Sequence, residues 1–104
     1  MQIRASKIMT TKNEIIDKLK AVKPILQKNF AVKTLALFGS FADGTNTAES
    51  DVDIIVEMDR PIGWRFFALE KQLEQTLNRK IDLVTQNALK EQIKPYVIKQ
   101  MLYI

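Results

Sequence analysis

Between residues 11 and 30 the apolar positions fall at Ile15, Ile16, Leu19, Val22 and Leu26, the three- and four-residue spacing of a helix with one buried stripe. Ahead of them, Thr11-Lys12-Asn13-Glu14 has the form of a capping box, so the pattern predicts a helix beginning near residue 11 or 12. Pro24 interrupts that helix and predicts either a kink or the start of a second short helix. The pattern then changes. "VKTLALF", residues 32–38, is a short, nearly continuous apolar run with an abrupt Gly39-Ser40 end, which reads as a largely buried strand. "DVDIIVEM", residues 51–58, reads as a second strand. From Gly63 to Leu77 the residues Phe66, Leu69, Leu73 and Leu77 recur at helical spacing, and Asn78 is placed to stop that helix in the left-handed conformation. "KIDLVT", residues 80–85, alternates as a strand does. Asn87 is read as the cap of a last helix with the stripe Leu89, Ile93, Val97 and Met101, Pro95 as its awkward point, and Tyr96 and Tyr103 on it. This order predicts an α+β fold class, a small mixed β-sheet flanked by helices.

Length narrows the organisation to one domain spanning residues 1–104, with 46% hydrophobic and 27% charged residues giving the balance of a folded chain. The absence of Cys and His changes the chemistry that can be expected. It excludes disulfides, thiolate nucleophiles and cysteine-bound zinc, and it removes the commonest general base near neutral pH. Chemistry is left to carboxylates, hydroxyls, Lys and Arg. No apolar stretch is long enough for a bilayer and "MQIRASKIMTTKNE" has no signal-peptide apolar region, so the expected address is cytoplasmic, with no membrane partner. The net charge of +4 and pI near 9.4 suit an anionic partner, but the lysines are scattered along the chain and form no nucleic-acid patch in the sequence.

The feature that stability alone does not explain is acidic. Asp51 and Asp53 stand one residue apart at the mouth of the second strand, where alternation sends both side chains to the same side. Like charges placed so repel, which suggests a cation between them. Were the second and third strands neighbours in suitable register, Asp82 would join the pair and make a three-carboxylate cluster suited to a hard divalent ion such as Mg²⁺. Gly39-Ser40 is the complementary half: glycine lets the backbone turn sharply near a ligand, and the serine hydroxyl with the N–H groups after it, opening a helical turn at Phe41-Ala42, suits phosphate oxygens. Phosphate at the loop and metal at the strand together describe a nucleoside triphosphate.

At these residues the chain resembles a known group. "GSFADGTNTAESDVD" looks like the GS-x₁₀-D-x-D signature of the DNA polymerase beta-like nucleotidyltransferases, and "KIDLVT" resembles the strand bearing their third carboxylate. With "VKTLALFGS", "GWRFFALEKQLEQTLNRKIDLVT" and "IKPYVIKQMLYI", the likeness runs from about residue 12 to the end and is to the minimal nucleotidyltransferase (MNT) antitoxins that accompany HEPN toxins. The resemblance implies the polymerase beta-like fold, with Asp51, Asp53 and Asp82 as catalytic and metal-binding residues for two Mg²⁺ ions. It implies that Gly39 and Ser40 hold the β and γ phosphates of ATP. It also implies that AMP passes to a tyrosine hydroxyl of the HEPN toxin, in a hetero-oligomer with that toxin. The chain departs from the group at Asp43, where relatives commonly carry a basic residue, and Asp43 is left out of the site.

Taken singly, each feature has a plainer reading: Gly39-Ser40 as a strand end with a capped turn, Ser50-Asp51 as turn chemistry, Asp53 as an edge position, Asp82 as a solvent-facing strand residue. Their joint order and spacing favour the site. Trp64, Phe66 and Phe67 open an amphipathic helix and are expected in helix-sheet packing, not in base stacking. Two other functions compete with protein adenylylation: a non-catalytic antitoxin that neutralises its toxin by covering it, and nucleotidyl transfer to a small molecule with a separate partner subunit. The intact carboxylate set argues against the first and the short chain against the second.

Overall fold

The computed structural model describes residues 11–47, 49–88 and 101–104. The first helix, α1, spans Lys12–Phe30 and starts as its capping box directs, with the Glu14 N–H donating to Thr11 Oγ1 at 3.2 Å and the Thr11 N–H to Glu14 Oε1 at 2.8 Å. Thr11→Ala should therefore cost about 1 kcal/mol, read as a lower denaturant midpoint at unchanged slope. The helix runs unbroken through Pro24, so no second helix begins there. Pro24 lies on the exposed side, where water can take the carbonyl it leaves unbonded, while Val22 and Leu26 on the buried stripe hold the axis on both sides of it.

Strand β1 (Val32–Phe38) follows, then a single helical turn α2 (Ser40–Asp43), strand β2 (Val52–Met58), helix α3 (Arg65–Leu77), strand β3 (Ile81–Thr85), a 3-10 turn at Gln86–Ala88, and a short strand β4 (Leu102–Tyr103). The strands lie in the order β3-β2-β1-β4. β1 runs antiparallel to β2 and β4, and β2 runs parallel to β3, so the sheet is mixed. Alternation assigns the two faces. Leu35 and Leu37 of β1, Val52, Ile54 and Val56 of β2, and Ile81 and Leu83 of β3 meet Ile15, Leu19, Val22 and Leu26 of α1 and Leu69, Leu73 and Leu77 of α3 in one core. Each such leucine, moved from water, contributes roughly 1.5–3 kcal/mol, which is why the helical spacing was legible in the sequence. The carboxylates at odd positions of β2 fall on the other face.

Three expectations need correcting. Tyr103 was expected on a final helix with Met101 in its stripe; instead Met101 precedes β4 and Tyr103 lies within it, pairing with Ala36. The edge of β1 takes these residues because Leu102 and Ile104 pack on the core while Tyr103 faces out, an alternation of period two, and Ile104 N–H closes on Leu35 O at 2.8 Å. Lys23 adds a bond from Nζ to Ile104 O at 2.6 Å. Trp64 and Phe67 were expected in packing and are exposed, at 85% and 61%, with their rings 6.0 Å apart; only Phe66 of the three packs on the core. Asn87 lies inside the 3-10 turn, whose Ala88 N–H is taken by Thr85 Oγ1 at 3.2 Å. The stripe Leu89, Ile93 and Val97, with Pro95 and Tyr96, lies outside the described residues. No helix among the described residues is long and apolar enough to cross a membrane.

Candidate functional site

β1 delivers the chain to Gly39, where the backbone takes φ 73° and ψ −151°, a combination that a side chain strongly disfavours. A second constraint coincides with the first. A β-carbon on Gly39 would run into the Asp53 carboxylate, with Asp53 Cγ only 3.1 Å away. The approach follows from register, since Phe38 is the cross-strand partner of Asp53. Ser40 then opens α2, in which the Gly39 carbonyl accepts from the Ala42 and Asp43 N–H groups at 3.0 and 3.1 Å, and Gly44 and Thr45 N–H close on Ser40 O at 3.0 Å. The helical turn expected at Phe41-Ala42 is present, with Phe41 fully buried beneath it.

The register of β2 with β3 places the acids. Asp53 is the Cα partner of Asp82 across the parallel ladder, and Val52 N–H to Lys80 O at 3.1 Å holds the two strand starts level. Paired residues project to one side of a sheet, and Asp51 precedes Asp53 by two, so all three carboxylates stand at one end of the face opposite the helices. Asp51 and Asp82 are exposed and Asp53 is half-buried. Burial raises the Asp53 pKa above its ordinary value, and the charges of Asp82 and then Asp51 raise it further. Among the described residues no three such side chains are gathered tightly enough to enclose an ion as they stand. The donor set nonetheless fits a hard divalent cation: it is all carboxylate oxygen, and burial, with the charges of Asp82 and Asp51, disfavours the ionised form of its most buried member, a cost that a bound cation would offset.

Asp43, the residue at which the chain departs from the resemblance, is occupied locally. Its Oδ1 accepts from Thr45 Oγ1 at 2.6 Å and from Thr45 N–H at 3.0 Å, and these bonds lower its pKa. Glu49 is exposed, with its N–H given to Thr47 Oγ1 at 3.3 Å.

Sequence reasoning passed over Arg79. Its Nη2 donates to Ser50 O at 2.7 Å and its guanidinium lies 5.2 Å from the centre of the Phe41 ring. The available signal was position, immediately after the helix stop Asn78, which takes φ 53°, and three residues before Asp82. It passed over a cavity of about 370 Å³ as well, bordered by Glu57, Asp59, Arg60, Thr85, Gln86 and Asn87 at the far ends of β2 and β3, away from the carboxylates.

The profile of the family described as polymerase beta, nucleotidyltransferase matches residues 20–104. The chain is 36% identical over 97 residues to the protein adenylyltransferase MntA of Thermococcus cleftensis, covering 92% of this chain and 98% of that protein. It is 44% identical over 82 residues to MJ1215 of Methanocaldococcus jannaschii, which bears the name protein adenylyltransferase by inference, covering 78% of this chain and 95% of that one. Among solved structures, a toxin-antitoxin complex with AMP-PNP superposes with a TM-score of 0.64 at 24% identity, over 90% of this chain and 72% of that one. The complex of a tri-AMPylated Shewanella oneidensis HEPN toxin with its MNT antitoxin gives a TM-score of 0.59 at 20% identity, over 85% and 68%. At such identities the superpositions establish the shared fold.

Proposed function

The chain belongs to the polymerase beta nucleotidyltransferase family, and from that membership we propose that it is a Mg²⁺-dependent protein adenylyltransferase. It moves AMP from ATP to a tyrosine hydroxyl of a HEPN toxin and so acts as that toxin's antitoxin, in a complex with it in the cytoplasm. The observation that carries this reading is the register of Asp53 with Asp82, with Asp53 resting against the Gly39 turn. Support for a protein acceptor comes from the relatives named protein adenylyltransferase, and for the toxin from the complex in which a HEPN toxin is AMPylated.

In this reading residues 1–104 act as one domain. Asp51 and Asp53 hold the metal, and Asp82 completes the site for a second ion. Bound Mg²⁺ would offset the charge of the triphosphate and favour the ionised form of the acceptor hydroxyl, whose pKa is otherwise about 10. The Gly39 backbone and Ser40 hold the β and γ phosphates, so that the α-phosphorus faces the acceptor. The tyrosine oxygen forms the new P–O bond, the bond to pyrophosphate breaks, and Asp82 helps to take the hydroxyl proton. With no His or Cys in the chain, carboxylates are the groups able to accept it near neutral pH.

The test is incubation with Mg²⁺-ATP and a HEPN toxin partner, followed by intact-mass measurement. Mass increments of AMP on the toxin are expected. A tight complex with no increment would instead select the antitoxin that acts by covering its target. Ser40→Ala is expected to slow transfer by roughly 10- to 100-fold through lost phosphate positioning, measured as single-turnover rates; full activity would move the phosphate site elsewhere.

A further inference from the structure

We propose that Arg79 is a positioning residue that fastens the Gly39-Ser40 turn to the Asp51–Asp53 segment. This rests on the nucleotidyltransferase reading of those residues. Among the described residues, one half-buried side chain makes contacts of two kinds: its guanidinium carbon lies over the Phe41 ring, 5.2 Å from the ring centre, and its Nη2 donates to Ser50 O at 2.7 Å. Phe41 directly follows Ser40, Ser50 directly precedes Asp51, and Arg79 itself stands three residues ahead of Asp82. A single side chain therefore touches the immediate chain neighbour of the turn and of the paired aspartates, from the segment that leads into the third carboxylate.

The segment it holds has little other long-range support among the described residues. Apart from the Arg79 bond, the bonds of the described residues from 44 to 50 are local and reach no further back than Ser40: Gly44 and Thr45 N–H to Ser40 O, Thr45 to Asp43, Thr47 N–H to Ser50 Oγ at 2.8 Å, Glu49 N–H to Thr47 Oγ1 at 3.3 Å, and Ser50 N–H to Thr47 O at 3.1 Å. Such bonds shape a loop without fixing where it sits. The Arg79 bond to Ser50 O joins residues 29 apart in sequence, and the ladder takes over just beyond it, at Val52 N–H to Lys80 O. On the other side, Phe41 is fully buried, so its ring offers a rigid platform. Arginine suits this place because a planar guanidinium can stack by its face and donate in its plane at once; a lysine ammonium can do one or the other. The helix stop at Asn78 aims the chain: its left-handed turn ends α3 immediately before Arg79.

The test compares the natural chain with Arg79→Met and Arg79→Lys by amide hydrogen exchange and by AMP transfer. Arg79→Met should speed exchange at residues 44–51 by about tenfold or more while β1 and α3 keep their protection, since a local anchor is lost and the core is not. Its kcat for transfer should fall roughly 10- to 100-fold, with a higher Mg²⁺ concentration at half-maximal rate. Arg79→Lys, which keeps the charge and secures folding, should recover only a minor part of either effect. Adding Phe41→Leu to Arg79→Met should cost less than the two changes made separately, because both remove one contact. Unchanged exchange at residues 44–51, acceleration spread evenly over the protein, or local acceleration with full kcat and unchanged Mg²⁺ dependence would each overturn the proposal. If the natural chain itself transfers no AMP, the enzymatic reading fails, and the exchange data still decide whether Arg79 holds the loop.

Discussion

Asp53→Asn should transfer no detectable AMP and yet, without divalent ions at pH 7, melt a few degrees above the natural chain. The two effects share one cause. Asp53 is half-buried beside two other carboxylates, and its pKa is raised by burial first and by Asp82 and Asp51 next. A carboxyl whose pKa is higher folded than unfolded favours the folded state while protonated, and that advantage is lost as pH rises from the ordinary value of 3.8 through the raised one. At pH 7 the natural chain bears the full cost of ionising Asp53, and the amide removes it. The gain in melting temperature should therefore shrink as pH falls through the raised pKa and vanish below 3.8, a profile that a simple packing improvement would not produce. Mg²⁺ should raise the melting temperature of the natural chain and leave that of Asp53→Asn nearly unchanged. Asp51→Asn should likewise abolish transfer, with a smaller thermal gain because Asp51 is exposed. Transfer at the natural rate in either variant would remove the carboxylates from the catalytic role.

Gly39→Ala should be the most damaging single methyl group in the protein. It meets two obstacles: a backbone at φ 73° and ψ −151°, and the Asp53 side chain in the space the new β-carbon needs. Backbone strain of this kind costs about 1–3 kcal/mol, and displacement of the carboxylate adds to it, so a loss of roughly 2–4 kcal/mol is expected, with transfer abolished in whatever folds. The obstacles separate in a double-mutant cycle. In an Asp53→Ala background the same change should cost less, leaving the backbone share alone, and both are read from denaturant midpoints. Equal costs in the two backgrounds would mean that Asp53 does not crowd Gly39.

Much of this arrangement was legible in the residues because single positions carried strong physical preferences. The bounds of β1 coincide with the apolar run at residues 32–38, the capping box marks the start of α1, and Asn78 takes the left-handed conformation its type tolerates. The placing of Asp82 next to Asp53 needed one fact that no local pattern holds, the parallel pairing of β2 with β3. Where reading failed, the deciding forces were tertiary. Leu102 and Ile104 are apolar in either a helix or a strand, and only the open edge of β1 makes them strand-like. Trp64 and Phe67 are large and apolar, yet α3 meets the core through Phe66, Leu69, Leu73 and Leu77, which leaves those two rings outside. Arg79 has no periodicity to betray it, and its partners Ser50 and Phe41 lie 29 and 38 positions away along the chain.

Among the described residues the β2–β3 ladder is the parallel pairing of the sheet, and it joins strands separated by the whole of α3. A hairpin can close early on a growing polypeptide, whereas this ladder must wait until a helix has formed and carried the chain back. During synthesis the first two aspartates thus emerge well before their companion is seated. Catalytic competence should appear late in folding, at the docking of β3, and a product that stalls before residue 82 should form no triphosphate site at all.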